Sequence, residues 1–345
     1  MLVTYMRSSS VNCYAMCPQK YFCTYVLGLK DKDNGKACQG NVFHKNFEIL
    51  AKCKLAQQNG EKFFIDDNFG KLSTKVKVEK INKLSYDYYE SEFPGLMPKG
   101  SEKTVLEWTH AALLKLNGEM DPRNQNIYAV EEFFDVEVPH SWADYSYEID
   151  GKTIEGRLRL KGTVDLITRE DEVYLHLIDF KTGRRFDWAK ETVKEYSDLE
   201  SDKQLLLYYY ALRLKYPNNK FYVSIFYAND HVIDKVLVEG GLFTFVFDDD
   251  TMKLAEDMLR KEFEKIKNDR YPKVISKTCA HFKCKYLCAY SKIIPEISTE
   301  KPACIFLREE ISEKGIEYVT QKYGDLQRMK VYSGGGKLNV DLKDA

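Results

Sequence analysis

Leu158-Arg159-Leu160-Lys161-Gly162-Thr163-Val164-Asp165-Leu166-Ile167, followed by Val173-Tyr174-Leu175-His176-Leu177-Ile178-Asp179-Phe180-Lys181-Thr182-Gly183, is the stretch that decides how this chain is read. Both runs are rich in aliphatic and β-branched residues, and the acidic turn Arg169-Glu170-Asp171-Glu172 separates them. They read as a pair of strands over Leu158 to Thr168 and Val173 to Phe180. The period of two places Asp179 and Lys181 on one strand face and Ile178 and Phe180 on the other, toward a core. A largely apolar strand that ends in Asp-x-Lys carries charges that are costly to bury without partners. Asp165 on the neighbouring strand can share a metal ion with Asp179. Two carboxylates suit Mg²⁺ or Mn²⁺, which prefer hard oxygen ligands. With a lysine alongside, the set suits phosphodiester hydrolysis. Taken alone, the pattern is a weak signal and better suits a surface hairpin with an incidental ion pair.

Outward from this pair, Ser201 to Tyr216 reads as a helix stopped by Pro217. Phe221 to Tyr227 and Val232 to Val238 read as strands, and Asp248 to Asn268 as a long amphipathic helix. Upstream, Ile127 to Val138 reads as a strand. Ser101 to Leu116 and Gly40 to Gln58 read as helices with apolar residues at helical spacing. A first helix runs from a Ser8-Ser9-Ser10 cap to about Leu27, broken or restarted at Pro18. Residues 59 to 100 give no clear pattern, and after Pro295 the chain is an irregular tail with Gly334-Gly335-Gly336 as a flexible link. Helices first, then strands interleaved with helices, indicate an α/β fold with an N-terminal helical elaboration.

The 345 residues suit two average domains or one elaborated α/β domain. Hydrophobic residues make up 44%, enough for a sizeable core. There is no run of about 18 apolar residues and no basic-then-apolar leader, so the expectation is a cytoplasmic protein with no membrane partner. The formal net charge of −1 does not announce a nucleic-acid binder, but a local basic patch would suffice. Lys71, Lys75, Lys77, Lys80 and Lys83 form one candidate patch, or simply a solvated face.

Set in order, Gly162-Thr163-Val164-Asp165, Ile178-Asp179-Phe180-Lys181-Thr182-Gly183 and Gln204-Leu205-Leu206-Leu207-Tyr208 resemble the RecB-like branch of the PD-(D/E)xK nuclease superfamily. Gly40-Asn41-Val42-Phe43-His44 fits that branch's early helix, and Ser10 to Phe22 fits its opening segment. The resemblance covers about residue 8 to about residue 290. It implies a restriction-endonuclease-like core with a central mixed β-sheet flanked by helices. It divides the chain into a nuclease domain over 1–297 and a tail over 298–345. The domain comprises a helical elaboration to about 120, a catalytic core to about 270 and a Cys-rich segment over 271–297. By resemblance, Asp165 and Asp179 match the metal-binding carboxylates and Lys181 the catalytic lysine. His44 matches a further metal ligand, and Gln204 and Tyr208 match a pair that approaches the lysine or the DNA backbone. An acidic residue on a preceding strand completes the set. Strand alternation lets only one of Glu131 and Glu132 face the site, and Glu131 is the expected one.

Nine cysteines in a chain without an export signal argue against a disulfide framework. Some RecB-like nucleases hold a [4Fe–4S] cluster with one early and three late cysteines. Cys17, Cys279, Cys284 and Cys288 match those places, with Cys13 and Cys23 as other early ligands. The late spacing, Cys-x4-Cys-x3-Cys, departs from the family's Cys-x2-Cys-x5-Cys. His281 keeps zinc open, and buried metal-free thiols are the third reading.

The resemblance implies a Mg²⁺- or Mn²⁺-dependent DNA exonuclease acting on ends or single strands, in recombination, repair or replication. Such a chain fits a bacterial or phage-infected cell and a helicase or recombination partner, since it has no phosphate-binding loop of its own. A structure-specific endonuclease and a non-catalytic DNA-binding subunit are the alternatives.

Overall fold

A computed structural model describes residues 1–29, 35–61, 73–149, 152–187, 191–273 and 303–324. In chain order the elements begin with β1 (Tyr5–Met6), α1 (Ser8–Met16), α2 (Pro18–Tyr21), α3 (Gly35–Gln58), α4 (Thr74–Glu92) and α5 (Ser101–Leu114). Next come β2 (Ile127–Glu137), β3 (Asp144–Ile149), β4 (Lys152–Arg157), β5 (Arg159–Arg169), β6 (Tyr174–Lys181), β7 (Phe186–Asp187) and β8 (Thr192–Val193). They are followed by α6 (Tyr196–Glu200), α7 (Lys203–Lys215), β9 (Lys220–Tyr227), β10 (His231–Ile233), β11 (Val236–Val238) and β12 (Gly241–Phe247). The last are α8 (Asp249–Asn268), α9 (Ala303–Lys314) and α10 (Ile316–Tyr323).

The central sheet is mixed, with strand order β1-β5-β6-β9-β12 and β2 also pairing with β5. β5 and β6 are antiparallel, β6 and β9 parallel, and β9 and β12 antiparallel. The parallel step is possible because α6 and α7 supply the crossover that a parallel pair needs.

The chain divides into two compact units, one of residues 33–133 and 163–252, the other of residues 1–32, 134–162 and 253–345. In the former, α3, α4 and α5 cover one side of the sheet strands. Phe43, Phe47 and Leu50 of α3 share a core with Leu166, Ile178, Phe180 and Phe226. α7 packs Tyr209 edge-on against Phe221 of β9 and Phe247 of β12. β6 is thus lined by buried residues of both parities, Leu175, Leu177, Ile178 and Phe180, as strands covered on both faces require. Polar bonds fix the three helices to one another. Asn46 Nδ2 donates to Asn82 Oδ1 at 2.9 Å and to Thr109 Oγ1 at 3.0 Å, and Asn82 Nδ2 donates to the Glu102 carbonyl at 3.0 Å.

In the other unit, β1 runs parallel to the start of β5 in the register Tyr5↔Arg159, and β3 and β4 form a hairpin. α8 buries Ala255, Leu259, Phe263 and Ile266 at helical spacing. Trp142 packs against Phe263 and donates to Glu256. Lys161, buried in β5, pairs with Asp135 at 3.0 Å.

The structure differs from the sequence reading in several places, among them the tail after Pro295, where α9 and α10 form, and β1, β3 and β4, which the sequence pattern does not announce. α4 lies within residues 59 to 100, where no pattern was read; its Ser73 cap and its buried Val78, Ile81, Asn82 and Ser85 show a partly polar inner face that masks the periodicity. Lys75, Lys77, Lys80 and Lys83 stand on this helix, and Lys71 lies outside the described residues. Val232 to Val238 is a tight hairpin, not one strand. Its two-residue turn, Asp234-Lys235, has φ of 49° and 70° without the glycine that usually signals such a turn. The edge strand Gly241–Phe247 was not expected at all. The helix from Ser101 ends at Leu114 because Lys115 leaves the helical region with ψ of 146°, and Leu116 and Asn117 then take left-handed φ of 53° and 55°. Met16 ends α1, Cys17 is extended, and Pro18 opens α2, so the first helix restarts as the proline requires.

Asn46→Leu leaves Asn82 and Thr109 without a shared partner and is expected to cost about 1–3 kcal/mol in urea unfolding. Asn46→Asp is expected to cost more, because it buries a charge. Two unfolding midpoints equal to the parent's would show that these polar bonds do not hold the helices together.

Candidate active site

The β5–β6 ladder ends at Leu166↔Ile178. One residue further, that register sets Asp165 across from Asp179. Here the Phe180 amide donates to Asp165 Oδ2 at 2.7 Å in place of a ladder partner. Phe180 itself stays in the core against Phe47 of α3. That packing brings α3 over the strand end and sets His44 Nδ1 3.2 Å from Asp165 Oδ1. Gly40, one turn earlier, eases the approach, since a Cβ there would stand 3.2 Å from Thr182 Oγ1, a tight contact that the threonine would have to yield to.

Asp179 is 2% exposed. Its Oδ1 accepts from Gln204 Nε2 at 2.7 Å. Its Oδ2 lies 2.6 Å from Lys181 Nζ but accepts no well-directed hydrogen bond. Lys181 Nζ also donates to Gln204 Oε1 at 3.1 Å. Gln204 Nε2 donates in addition to Tyr208 Oη at 2.9 Å, the i,i+4 contact expected on one helix face. Gln204 is placed by the start of α7, where Asp202 caps the helix by accepting from the Gln204 amide at 2.9 Å. Lys194 in turn holds Asp202 at 2.9 Å. The sequence-predicted Asp165, Asp179, Lys181, His44, Gln204 and Tyr208 therefore meet at one place.

Glu131 is near enough to interact electrostatically with Asp165, and its backbone departs from simple alternation. It has φ of 51° in the middle of β2, a left-handed conformation that costs a non-glycine residue on the order of 1 kcal/mol. The twist lets the two neighbouring glutamates part. Glu132 pairs with Lys215 and accepts from Tyr216, while Glu131 feels the charges of Asp165, Glu48 and His44. Glu48 is a residue the sequence reading passed over. It stands four residues from His44 on α3 and pairs with Lys45 and Lys52; that spacing was the available signal.

The electrostatics follow from crowding acids in a dry place. Burial, and then the charge of Asp165, push the Asp179 carboxyl up to about 6 against the pull of Lys181. Burial, Asp165 and Glu48 push Glu131 up to about 7. Burial also opposes charge on Asp165, but His44 and Lys181 outweigh it and hold Asp165 below the usual range. Lys181 and His44 are raised for the converse reason, since the carboxylates more than offset their burial.

This donor set fits a divalent cation. It offers hard carboxylate oxygens, and one buried oxygen, Asp179 Oδ2, lacks a hydrogen bond. Among the described residues no three His, Cys, Asp or Glu side chains already form a metal cage; His44 and Lys181 instead close on the carboxylates. For the cysteines, Cys17 is buried with its Sγ 3.9 Å from the Lys273 carbonyl. Cys279, Cys284, Cys288 and His281 lie outside the described residues.

Compared with known families, the sequence matches the PD-(D/E)XK nuclease superfamily over residues 8–293. No curated protein matches it. Among solved structures it is similar to a protein from Eubacterium rectale described as "Putative exonuclease", at 11% identity and a TM-score of 0.36, with 72% of this chain and 90% of that one covered. It is also similar to the protein SSO0001, at 17% identity and a TM-score of 0.24, with 73% and 97% covered. At these TM-scores neither structure carries an argument, and the family match stands by itself.

The raised Asp179 predicts a pH signature. An acid whose folded pKa exceeds its unfolded value stabilises the fold below the unfolded pKa and loses that contribution as pH rises through the folded one. Between about pH 4 and pH 6, metal-free parent protein should lose on the order of 3 kcal/mol relative to Asp179→Asn. Thermal unfolding in EDTA reads it, and parallel pH profiles for the two proteins would contradict it.

Proposed function

The chain belongs to the PD-(D/E)XK nuclease superfamily, and we propose that it is a metal-dependent deoxyribonuclease that works as an exonuclease on DNA ends or single strands. The observation that carries this reading is the buried Asp179 held by Lys181 and Gln204 beside Asp165. Nucleases of this superfamily use divalent metal ions, generally Mg²⁺ or Mn²⁺. Asp165 and Asp179 would hold the ion, with His44 and Glu131 beside them. When bound, such an ion supplies Lewis-acid polarisation of the phosphodiester and a more acidic water.

The chain's own residues do the rest. Gln204 fixes Lys181 and Asp179 with one amide, donating to the carboxylate and accepting from the ammonium. Tyr208 accepts from the same amide and keeps it oriented. Lys181 is thereby placed to meet the charge that builds on the phosphate oxygens as water adds to phosphorus and the old P–O bond breaks. The exonuclease preference rests on His44 with the Gln204 and Tyr208 pair, the combination that goes with end processing in the RecB-like branch. The setting we infer is the cytoplasm of a bacterial or phage-infected cell, in recombination, repair or replication beside a helicase or recombination protein. No helix among the described residues is long and apolar enough to cross a membrane.

Asp179→Ala and Lys181→Ala are expected to abolish Mg²⁺- or Mn²⁺-dependent loss of end-labelled linear DNA. Gln204→Leu, which keeps both charges but not their alignment, is expected to slow it by about 10²-fold. The parent should spare circular single-stranded DNA. Cleavage of the circle would make it an endonuclease, and linear DNA left whole by the parent would sink the enzyme reading.

A further inference from the structure

The β10–β11 hairpin is an unusual surface for this molecule. Val232 and Leu237 are directly opposed across it and are 64% and 58% exposed, while Val236 at the turn is 60% exposed. Val238, at the base of the ribbon, is buried, although Val236 of the same parity is exposed. The ribbon therefore turns one apolar side chain inward and presents an aliphatic pair to solvent, which folding alone does not reward. Beside its base, Lys115 bonds Asp230 at 2.7 Å. Lys115 is flanked by two more exposed aliphatic residues, Leu114 and Leu116.

The hairpin is anchored at the candidate site. Lys181 is aligned with Tyr227 on the parallel strand β9, and the Ala228 amide donates to the Lys181 carbonyl at 2.9 Å. The next carbonyl, that of Thr182, accepts from Asn229 Nδ2 at 3.3 Å and lies 3.3 Å from His231 Nε2. The apolar pair thus begins only a few residues from the strand end that carries Lys181, and three paired positions reach about 10 Å. A two-residue, positive-φ turn keeps the ribbon short. The base of the hairpin thus sits at the strand end where a phosphate at Lys181 would be held. Aliphatic side chains have nothing to offer a phosphate, but they can cover the exposed face of a base.

We propose that the hairpin is a wedge that packs Val232 and Leu237 against the bases at a DNA end and holds the terminal pair open while the strand enters the site. This rests on the nuclease reading above and deepens it, naming the substrate as a frayed duplex end. Opening a terminal pair costs little compared with an internal one, so a small apolar surface is enough.

The test uses the full chain with Ca²⁺, in place of Mg²⁺, and a blunt duplex carrying 2-aminopurine at its end. Parent protein should raise the 2-aminopurine fluorescence on binding, and Val232→Ser/Leu237→Ser should not. Both substitutions are at exposed positions, and matched thermal unfolding confirms an intact fold. With Mg²⁺, the double variant should degrade blunt duplex about tenfold more slowly and a pre-frayed or single-stranded end at the parent's rate. If parent and variant open the end equally, or if all three substrates slow alike, the wedge is wrong while the nuclease stands. If the parent degrades no DNA, the nuclease reading itself has failed.

Discussion

A carboxylate buried to 2% exposure is the constraint on which this structure turns. Water would solvate Asp179 far better than protein does, so its place at the end of β6 must be paid for in partners. Lys181 is supplied by the same strand two residues on, as the strand period dictates. Gln204 must be brought from elsewhere, and α7 does this with an N-cap that fixes the first turn. The parallel pairing of β6 with β9 needs a crossover in any case, so the helix that completes the topology also completes the site.

The arrangement still leaves the acids crowded. Asp179 and Glu131 titrate far above ordinary carboxyls, and Glu131 holds a left-handed backbone inside a strand. Backbone strain and crowded, only partly compensated carboxylates in one place suit a site that receives a cation. His44 and Lys181 act as partial counter-charges from α3 and β6.

Much of this was legible in the sequence because it follows from short-range rules. Asp-x-Lys at the end of an apolar strand and Gln-x3-Tyr on a helix each fix a face without knowledge of the rest. His44 could be placed at the site only through the family resemblance; the structure shows that Phe47 and Phe180 packing does it physically. What stayed hidden depended on backbone geometry or polar packing. Nothing in Val130-Glu131-Glu132 announces a positive φ, and Asp234-Lys235 turns the chain without glycine. The inner face of α4 is part asparagine and serine, satisfied by Asn46 and its neighbours rather than by aliphatic contacts, so hydrophobic periodicity could not reveal it. The division into two units interleaved along the chain is likewise invisible to a reading that moves from one end to the other.

The central claim is that Asp165 and Asp179 together bind a divalent ion. Anomalous diffraction from crystals equilibrated with Mn²⁺ tests it most directly. The account predicts one strong peak about 2.1 Å from oxygens of both carboxylates, with Lys181 displaced from Asp179 Oδ2, and no such peak in Asp179→Asn crystals. Parent crystals at saturating Mn²⁺ with no peak there, and with His44 and Lys181 still closed on the two aspartates, would contradict it.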